Sequence, residues 1–215
     1  MDASKLFALA ELDDAAALEG ALRGVDVKRI HNEGGESLFR FCIFRGHPKC
    51  AQLLKALSGF ALHDAALAGD VPLIETLLKT APWAIDTLSP DGWTALHLAA
   101  FFGNDAALLK LIELGANARI MGRAFEQNLA LHAACAGRRI GYVAFKELIV
   151  ATGSADARQK QGYTALMIAA GNGFVVAVNA LLEAGADRTL TQDDGKNAAD
   201  FARERGHAEL EKRLA

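Results

Sequence analysis

The 215-residue chain holds 23 basic and 26 acidic side chains, for a formal net charge of −3, and is 52% hydrophobic but only 7% aromatic. That balance argues against a disordered tail and a strongly basic nucleic-acid binder; three cysteines are too few, and odd in number, for a disulfide scaffold. Alanine accounts for 43 residues, an interior of small side chains that lets helix backbones approach closely and points to many repeated helix contacts instead of one bulky centre.

The N-terminus reads Met1-Asp2-Ala3-Ser4-Lys5-Leu6-Phe7, with Glu11, Asp13 and Asp14 following. It has neither the basic start nor the uninterrupted apolar run of a secretory signal, so a cytoplasmic chain is expected. Further along, one pattern returns. Phe60-Ala61-Leu62-His63-Asp64-Ala65-Ala66 is followed by Thr94-Ala95-Leu96-His97-Leu98-Ala99-Ala100, with Leu62 and Leu96 34 residues apart. Leu129-Ala130-Leu131-His132-Ala133-Ala134-Cys135 and Thr164-Ala165-Leu166-Met167-Ile168-Ala169-Ala170 come next, each leucine 35 residues after the last. Asn197-Ala198-Ala199-Asp200-Phe201-Ala202 continues the series after 33. Each copy precedes a second block, such as the stretches 107–117 and 177–187, which end Leu114-Gly115-Ala116-Asn117 and Ala184-Gly185-Ala186-Asp187.

These blocks read as two short helices. Thr94 and Thr164 stand where an N-cap satisfies orphan N–H groups. Alanine pairs allow close packing of the first helix, while Leu77-Leu78 and Leu181-Leu182 fill the core from the second. Gly115 and Gly185 stop the second helix in a left-handed conformation, and Pro48 and Pro72 sit in first turns, where a missing N–H is harmless. Residues 163–186 are long and apolar enough to pass for a membrane span, but Gly171-Asn172-Gly173 in the middle is a turn signal that divides them into two helices.

The pattern resembles the ankyrin-repeat family, whose unit of about 33 residues is a β-turn and two antiparallel helices. Asp91-Gly92-Trp93-Thr94-Ala95-Leu96-His97 and Gln161-Gly162-Tyr163-Thr164-Ala165-Leu166-Met167 match it best, although alanine or another residue replaces the usual proline after the threonine. The resemblance implies an all-α fold: a solenoid of about six to seven helix-turn-helix units with β-turn fingers, forming one domain over residues 1–215. The units run about 3–32 (a degenerate, acid-rich cap), 33–58, 59–88, 89–120, 121–158, 159–191 and 192–215. The second is short, because Leu38 and Leu62 are only 24 residues apart, so it lacks the long turn that would reach the next repeat. The fifth carries extra residues around Arg138-Arg139-Ile140-Gly141 and a lengthened finger before it. Residues 200–215 hold eight charged residues in sixteen, which suits a capping helix with one wet face.

Candidate chemistry is sparse. His63, His97 and His132 recur at the repeat spacing, and the resemblance implies that their rings bond backbone between neighbouring fingers; separate repeats hold them too far apart to share a metal. His31, His47 and His207 read as solvated or capping residues. Cys42 and Cys135 align with the small-residue slot of Ala100, Cys50 begins a second helix, and the chain has no Cys-x-x-Cys pair for zinc. Gly171-Asn172-Gly173 lacks the lysine, serine and preceding strand of a phosphate loop. Arg138-Arg139 and Arg203-x-Arg205 read as solvated faces. No catalytic residue, cofactor or metal is therefore expected.

The resemblance instead implies contacts on a concave face, made by residues just before the threonine and just before the inter-helix glycine. In the fingers these are Pro90, Asp91 and Trp93, then Phe125, Glu126 and Asn128, then Lys160, Gln161 and Tyr163. On the first helices they are Ile43 and Phe44, Leu67 and Ala68, Phe101 and Phe102, Ala136 and Gly137, and Asn172. Trp93, Phe101, Phe102, Phe125 and Tyr163 concentrate aromatics where hot spots form, unless Phe101 or Phe102 tucks under the longer finger at 121–128. The expected function is a non-catalytic module binding a partner protein, in its sharper form an inhibitor or immunity-type protein. The alternative is a secreted effector binding host proteins, with an enzyme a distant third. Nucleic acid and membrane are disfavoured by charge, and a monomer is expected because both ends read as polar caps.

Overall fold

The computed structural model describes residues 3–23, 25, 27, 30–57, 62–89, 91–123 and 127–215. Within them the helices come in pairs joined by turns of two to four residues. The pairs are α1 (Ala3–Glu11) with α2 (Ala15–Ala21), α3 (Leu38–Arg45) with α4 (Pro48–Leu57), and α5 (Leu62–Ala68) with α6 (Val71–Thr80). They continue with α7 (Ala95–Phe102) and α8 (Asp105–Glu113), α9 (Ala130–Gly137) and α10 (Tyr142–Thr152), α11 (Ala165–Gly171) and α12 (Val175–Glu183), and α13 (Ala198–Glu204) and α14 (Ala208–Leu214). The all-α solenoid that the repeat implies is the architecture found. Residues 163–186 contribute α11 and α12, separated at residues 172–174, and no helix among the described residues is long and apolar enough to cross a membrane.

Side-chain caps start many of these helices. Thr94 Oγ1 accepts from the His97 amide at 3.3 Å and Thr164 Oγ1 from the Met167 amide at 3.4 Å. Ser37, Asp70 and Asn197 do the same for α3, α6 and α13. Each such bond is worth about 1 kcal/mol. The odd-numbered helices stack on one another as an inner row, and the even-numbered helices pack outside them. Alanine pairs recur in the inner row: Ala65, Ala66, Ala99, Ala100, Ala133, Ala134, Ala169 and Ala170 are fully buried. At Gly137 even a methyl group is excluded, since a Cβ there would fall 1.9 Å from the Phe101 carbonyl oxygen. Leu78, Leu108, Leu111, Leu148 and Leu181 from the outer row fill the space between rows.

Hairpin fingers link one pair to the next. Ser89 and Trp93, Gln159 and Tyr163, and Gln192 and Lys196 close them with amide-to-carbonyl bonds of 2.8–2.9 Å. A histidine in the preceding inner helix pins the fingers before α7, α9 and α11. The Nε2–H groups of His63, His97 and His132 donate to the carbonyls of Thr87, Asn128 and Ala157 at 2.9, 2.9 and 3.0 Å. The tautomer follows from the acceptors, and the Thr94 hydroxyl then donates to His97 Nδ1 at 2.7 Å. The structural role that the resemblance implies for these rings is the one observed.

The second pair departs from the pattern. Four residues separate α4 from α5, against twelve to sixteen between the other pairs. The cap pair Ser37 and Gly46, set against Thr94 and Gly103, aligns Arg40 with His97. It also aligns Cys42 with Ala99, one residue from the register that the Leu38–Leu62 spacing suggests. Arg40 thus holds the histidine position where the short link follows. Its longer side chain reaches past to the finger before α7, bonding Ser89 Oγ at 3.2 Å and the Asp91 carboxylate. The guanidinium is buried, with Nε and Nη2 unpartnered. Asp64 sits on α5 nearby, in the slot of Leu98, with the Ser37 hydroxyl at 3.5 Å. Burial raises its carboxyl from 3.8 to about 6, against the pull of Arg40.

These groups give folding a two-sided pH dependence. Burial lowers His132 from 6.5 to about 4 and moves His63 and His97 the same way. Each ring stays neutral when folded, so its stabilisation is complete above pH 6.5 and is lost as pH falls below that; for His132 the loss extends toward pH 4 and corresponds to roughly 3 kcal/mol at about 1.4 kcal/mol per unit. Asp64 acts oppositely, because its ionisation costs stability as pH rises from 3.8 toward 6. Asp64→Asn is therefore expected to melt above the wild type at pH 7, level with it at pH 4, and to lose stability more steeply on acidification. Thermal melts across that range check this, and a gap independent of pH would refute the assignment.

Candidate functional site

Four of the aromatics singled out in the sequence lie together, three of them at the C-terminal ends of inner helices. Phe44 ends α3 beside Arg45, Phe101 and Phe102 end α7, and Trp93 closes the finger before α7. Between them α5 contributes only Leu67, which is buried, and the small Ala68, so rings from α3 and α7 meet. Phe44 and Phe102 have centroids 5.1 Å apart, Phe102 and Phe101 5.2 Å, and Phe101 and Trp93 5.7 Å, all edge to face. This is the favoured arrangement of ring quadrupoles. Trp93 and Phe102 also pack against the core, which fixes the ladder in place. Phe44, 44% exposed, and Phe101, outside the core packing, present it to solvent. Arg40 lies 5.7 Å from the Phe44 centroid and Arg139 6.0 Å from that of Phe102, within cation–π range.

The remaining candidates fall elsewhere. Tyr163 packs against Phe201 of α13, three inner helices beyond α7, with 5.4 Å between centroids. With Met167, Ile168, Asn172 and Arg205 these two rings line a cleft of about 200 Å³. The Asp91 carboxylate is taken up by Arg40 and the Ser89 hydroxyl. The Asn128 carbonyl receives His97, while its amide oxygen is buried without a partner. Asn172 ties neighbouring turns together: its Nδ2 donates to the Cys135 carbonyl at 3.3 Å, as Asn104 donates to Ala66 and Leu67 at 3.0 and 2.7 Å. Gln161 is exposed in a left-handed turn, φ 63°, and its carbonyl accepts from the Asp193 amide at 3.0 Å. Lys160 and Ala136 are exposed. Pro90, Phe125 and Glu126 lie outside the described residues.

All three cysteines are buried. Burial pushes the Cys42 thiol up to about 12 and Cys50 to about 11, and raises Cys135 as well, so none is an available thiolate near neutral pH. The fold also brings in groups that sequence reading passes over. Arg40 has no motif to mark it, since its place in the histidine slot shows only once the short link is taken into account. Phe201 falls inside a charged terminal helix pair. Trp83 stands 76% exposed on a helical turn, Pro82–Asp86, away from the ladder, beside a cleft of about 260 Å³ lined by Leu78, Ile85 and Leu114.

Comparison with known proteins agrees with this architecture. A family model described as ankyrin repeats (3 copies) matches residues 35–121, 62–145 and 131–215. A 54-residue stretch is 41% identical to Notch-regulated ankyrin repeat-containing protein B of Danio rerio, covering 24% of this chain. That stretch spans 46% of the relative, a little under half its length.

The asparagine geometry carries its own test. Asn172→Ala strands a carbonyl that the turn normally satisfies, a loss of about 1–3 kcal/mol, so a lower melting temperature is expected in denaturation experiments. An unchanged melt would mean that Asn172 is free for surface contacts alone.

Proposed function

Because this chain belongs to the ankyrin-repeat family, a family of protein-interaction modules, we propose that it is a non-catalytic module that binds a partner protein through its inner-helix face, concave in that family. The ladder Phe44–Phe102–Phe101–Trp93 forms the centre of the contact. The observation that carries this reading is the linkage of four aromatics, in a chain only 7% aromatic, at the ends of inner helices with two of them clear of the core. Rigid aromatic side chains supply large contact area at low entropic cost, which is why they dominate interface hot spots. In its sharper form the module is an inhibitor, its ladder filling a partner enzyme's cleft by shape alone. It acts as a monomer, with the charged faces of α14 turned to solvent.

Phe44→Ala with Phe101→Ala is the cleanest test, because neither ring packs against the core. Affinity capture from source lysate is expected to lose its partner by at least about a hundredfold, on the scale of two hot-spot residues. Helicity and melting temperature should match the wild type. Undiminished capture by the folded double variant would refute the ladder as the contact.

A further inference from the structure

The inner-helix ends and the turns after them form a continuous strip, apolar at both ends and cationic between. One end is the ladder, closing on Phe102. Arg139 covers the Phe102 ring, and its neighbour Arg138 donates from Nη1 to the Asn172 carbonyl at 3.1 Å in the next inter-helix turn along the stack. Asn172 in turn borders the cleft of Tyr163, Phe201 and Arg205. The strip thus passes from α3 and α7 across the α9–α10 turn to α11 and α13. The four-residue α9–α10 turn is longer than its neighbours, and this extra length is what sets two arginines side by side there.

The charge on this strip is unbalanced. Arg138, Arg139 and Arg205 are exposed, and none forms an ion pair among the described residues. Acids nearby are already engaged: both Asp105 oxygens accept from the Gly141 amide at 3.0 and 3.1 Å, Glu204 pairs with Lys196 at 2.6 Å, and Asp200 bonds Arg203. In a protein of net charge −3, the guanidiniums of Arg138 and Arg139 lie between two aromatic patches, and that of Arg205 lines the second.

Resting on the function proposed above, we infer that this strip recognises an extended acidic peptide segment with an apolar anchor at each end. Carboxylates of the segment pair with Arg138, Arg139 and Arg205, whose planar forks match them. One apolar side chain stacks on the ladder at Phe102 and Phe101, and the second enters the cleft between Tyr163 and Phe201. Inner helices packed about 8–10 Å apart put α7 and α11 about 20 Å from each other, which an extended chain covers in about six residues at roughly 3.3 Å each. The anchors therefore stand about six residues apart, with Asp or Glu between them. Nucleic acid would use the same arginines and rings, but three cations supply only a small part of the counterion release on which such binding depends.

A phage-displayed library of random linear peptides, selected on the full chain, tests this. Enriched sequences are expected to be rich in Asp and Glu, with two large apolar residues about six positions apart. A synthetic copy of one should bind the wild type in fluorescence anisotropy, weaken as salt rises, and weaken about tenfold or more against Arg138→Glu with Arg139→Glu. Phe44→Ala with Phe101→Ala should weaken it as well. Should charge reversal disturb folding, Arg138→Gln with Arg139→Gln carries the same test with a smaller change. Peptides that need the aromatics but show no acidic excess and bind the arginine variants equally would overturn this inference while leaving the face as the contact surface. Peptides indifferent to both sets of variants would overturn both readings. Failure to enrich any sequence, or arginine-dependent binding of a single-stranded RNA oligonucleotide in preference to the peptides, would overturn the acidic-peptide assignment.

Discussion

Successive inner helices pack through alanine faces so closely that a Cβ at Gly137 would strike the Phe101 carbonyl oxygen, and this spacing governs the rest of the molecule. Pairs of fully buried alanines repeat along the row, and leucines of the same helices, among them Leu38, Leu96, Leu98 and Leu131, are buried beside them. Leucines of both rows supply the bulk. Phe44, Phe101 and Phe102 stand at the C-terminal ends of their helices, where the chain turns, whereas Phe39 and Phe41 of α3 are buried. A contact surface of stacked rings is thus a by-product of tight packing combined with the choice of Phe at positions where a neighbouring helix carries Leu67 and Ala68. Histidine and asparagine side chains then lock neighbouring units together by bonding backbone carbonyls, so their polarity is satisfied where burial would otherwise be costly.

Continuity across the second pair needs a different device. With only four residues between α4 and α5, Arg40 spans the distance that a histidine elsewhere covers to an adjacent finger. Its pairing with Asp91 and Ser89 ties α3 to the finger before α7, and the same guanidinium lies against Phe44. The ion pair therefore helps set the ring of one unit against the ring of another two units on. A buried pair of this kind adds little net stability but fixes geometry, because removing one partner leaves an uncompensated charge.

Periodicity made most of this architecture legible in advance. Leucine spacing, threonine caps and the alanine pairs mark seven helix pairs, and the recurrent histidines have the finger-pinning role that the repeat implies. The ladder was legible in part: Trp93, Phe101, Phe102 and Phe44 all fall at repeat positions before a threonine or a glycine, but the repeat grouped the first three with Tyr163 and Phe125 and not with Phe44, which meets Phe102. What the repeat could not convey were contacts between non-equivalent positions. Asp91 occupies a variable finger position, yet its carboxylate serves Arg40 from two units away. Asn172 looks like a surface residue but completes the carbonyls of the preceding turn. Tyr163 is separated from the ladder and finds Phe201, whose unit reads as a charged cap. The one-residue register of α3 was decided by Ser37 and Gly46, which cap the helix, and not by the leucine spacing, because the shortened link disturbs the repeat length.

The account stands most directly on which row of helices meets the partner. A photo-crosslinking phenylalanine analogue placed at Phe44, at Phe101 and, on the outer row, at Val150, which is 75% exposed, would report this in source lysate under ultraviolet light. The account predicts one shared adduct from positions 44 and 101 and none from 150. An adduct from 150 with none from 44 or 101 would place the contact on the outer helices and contradict it.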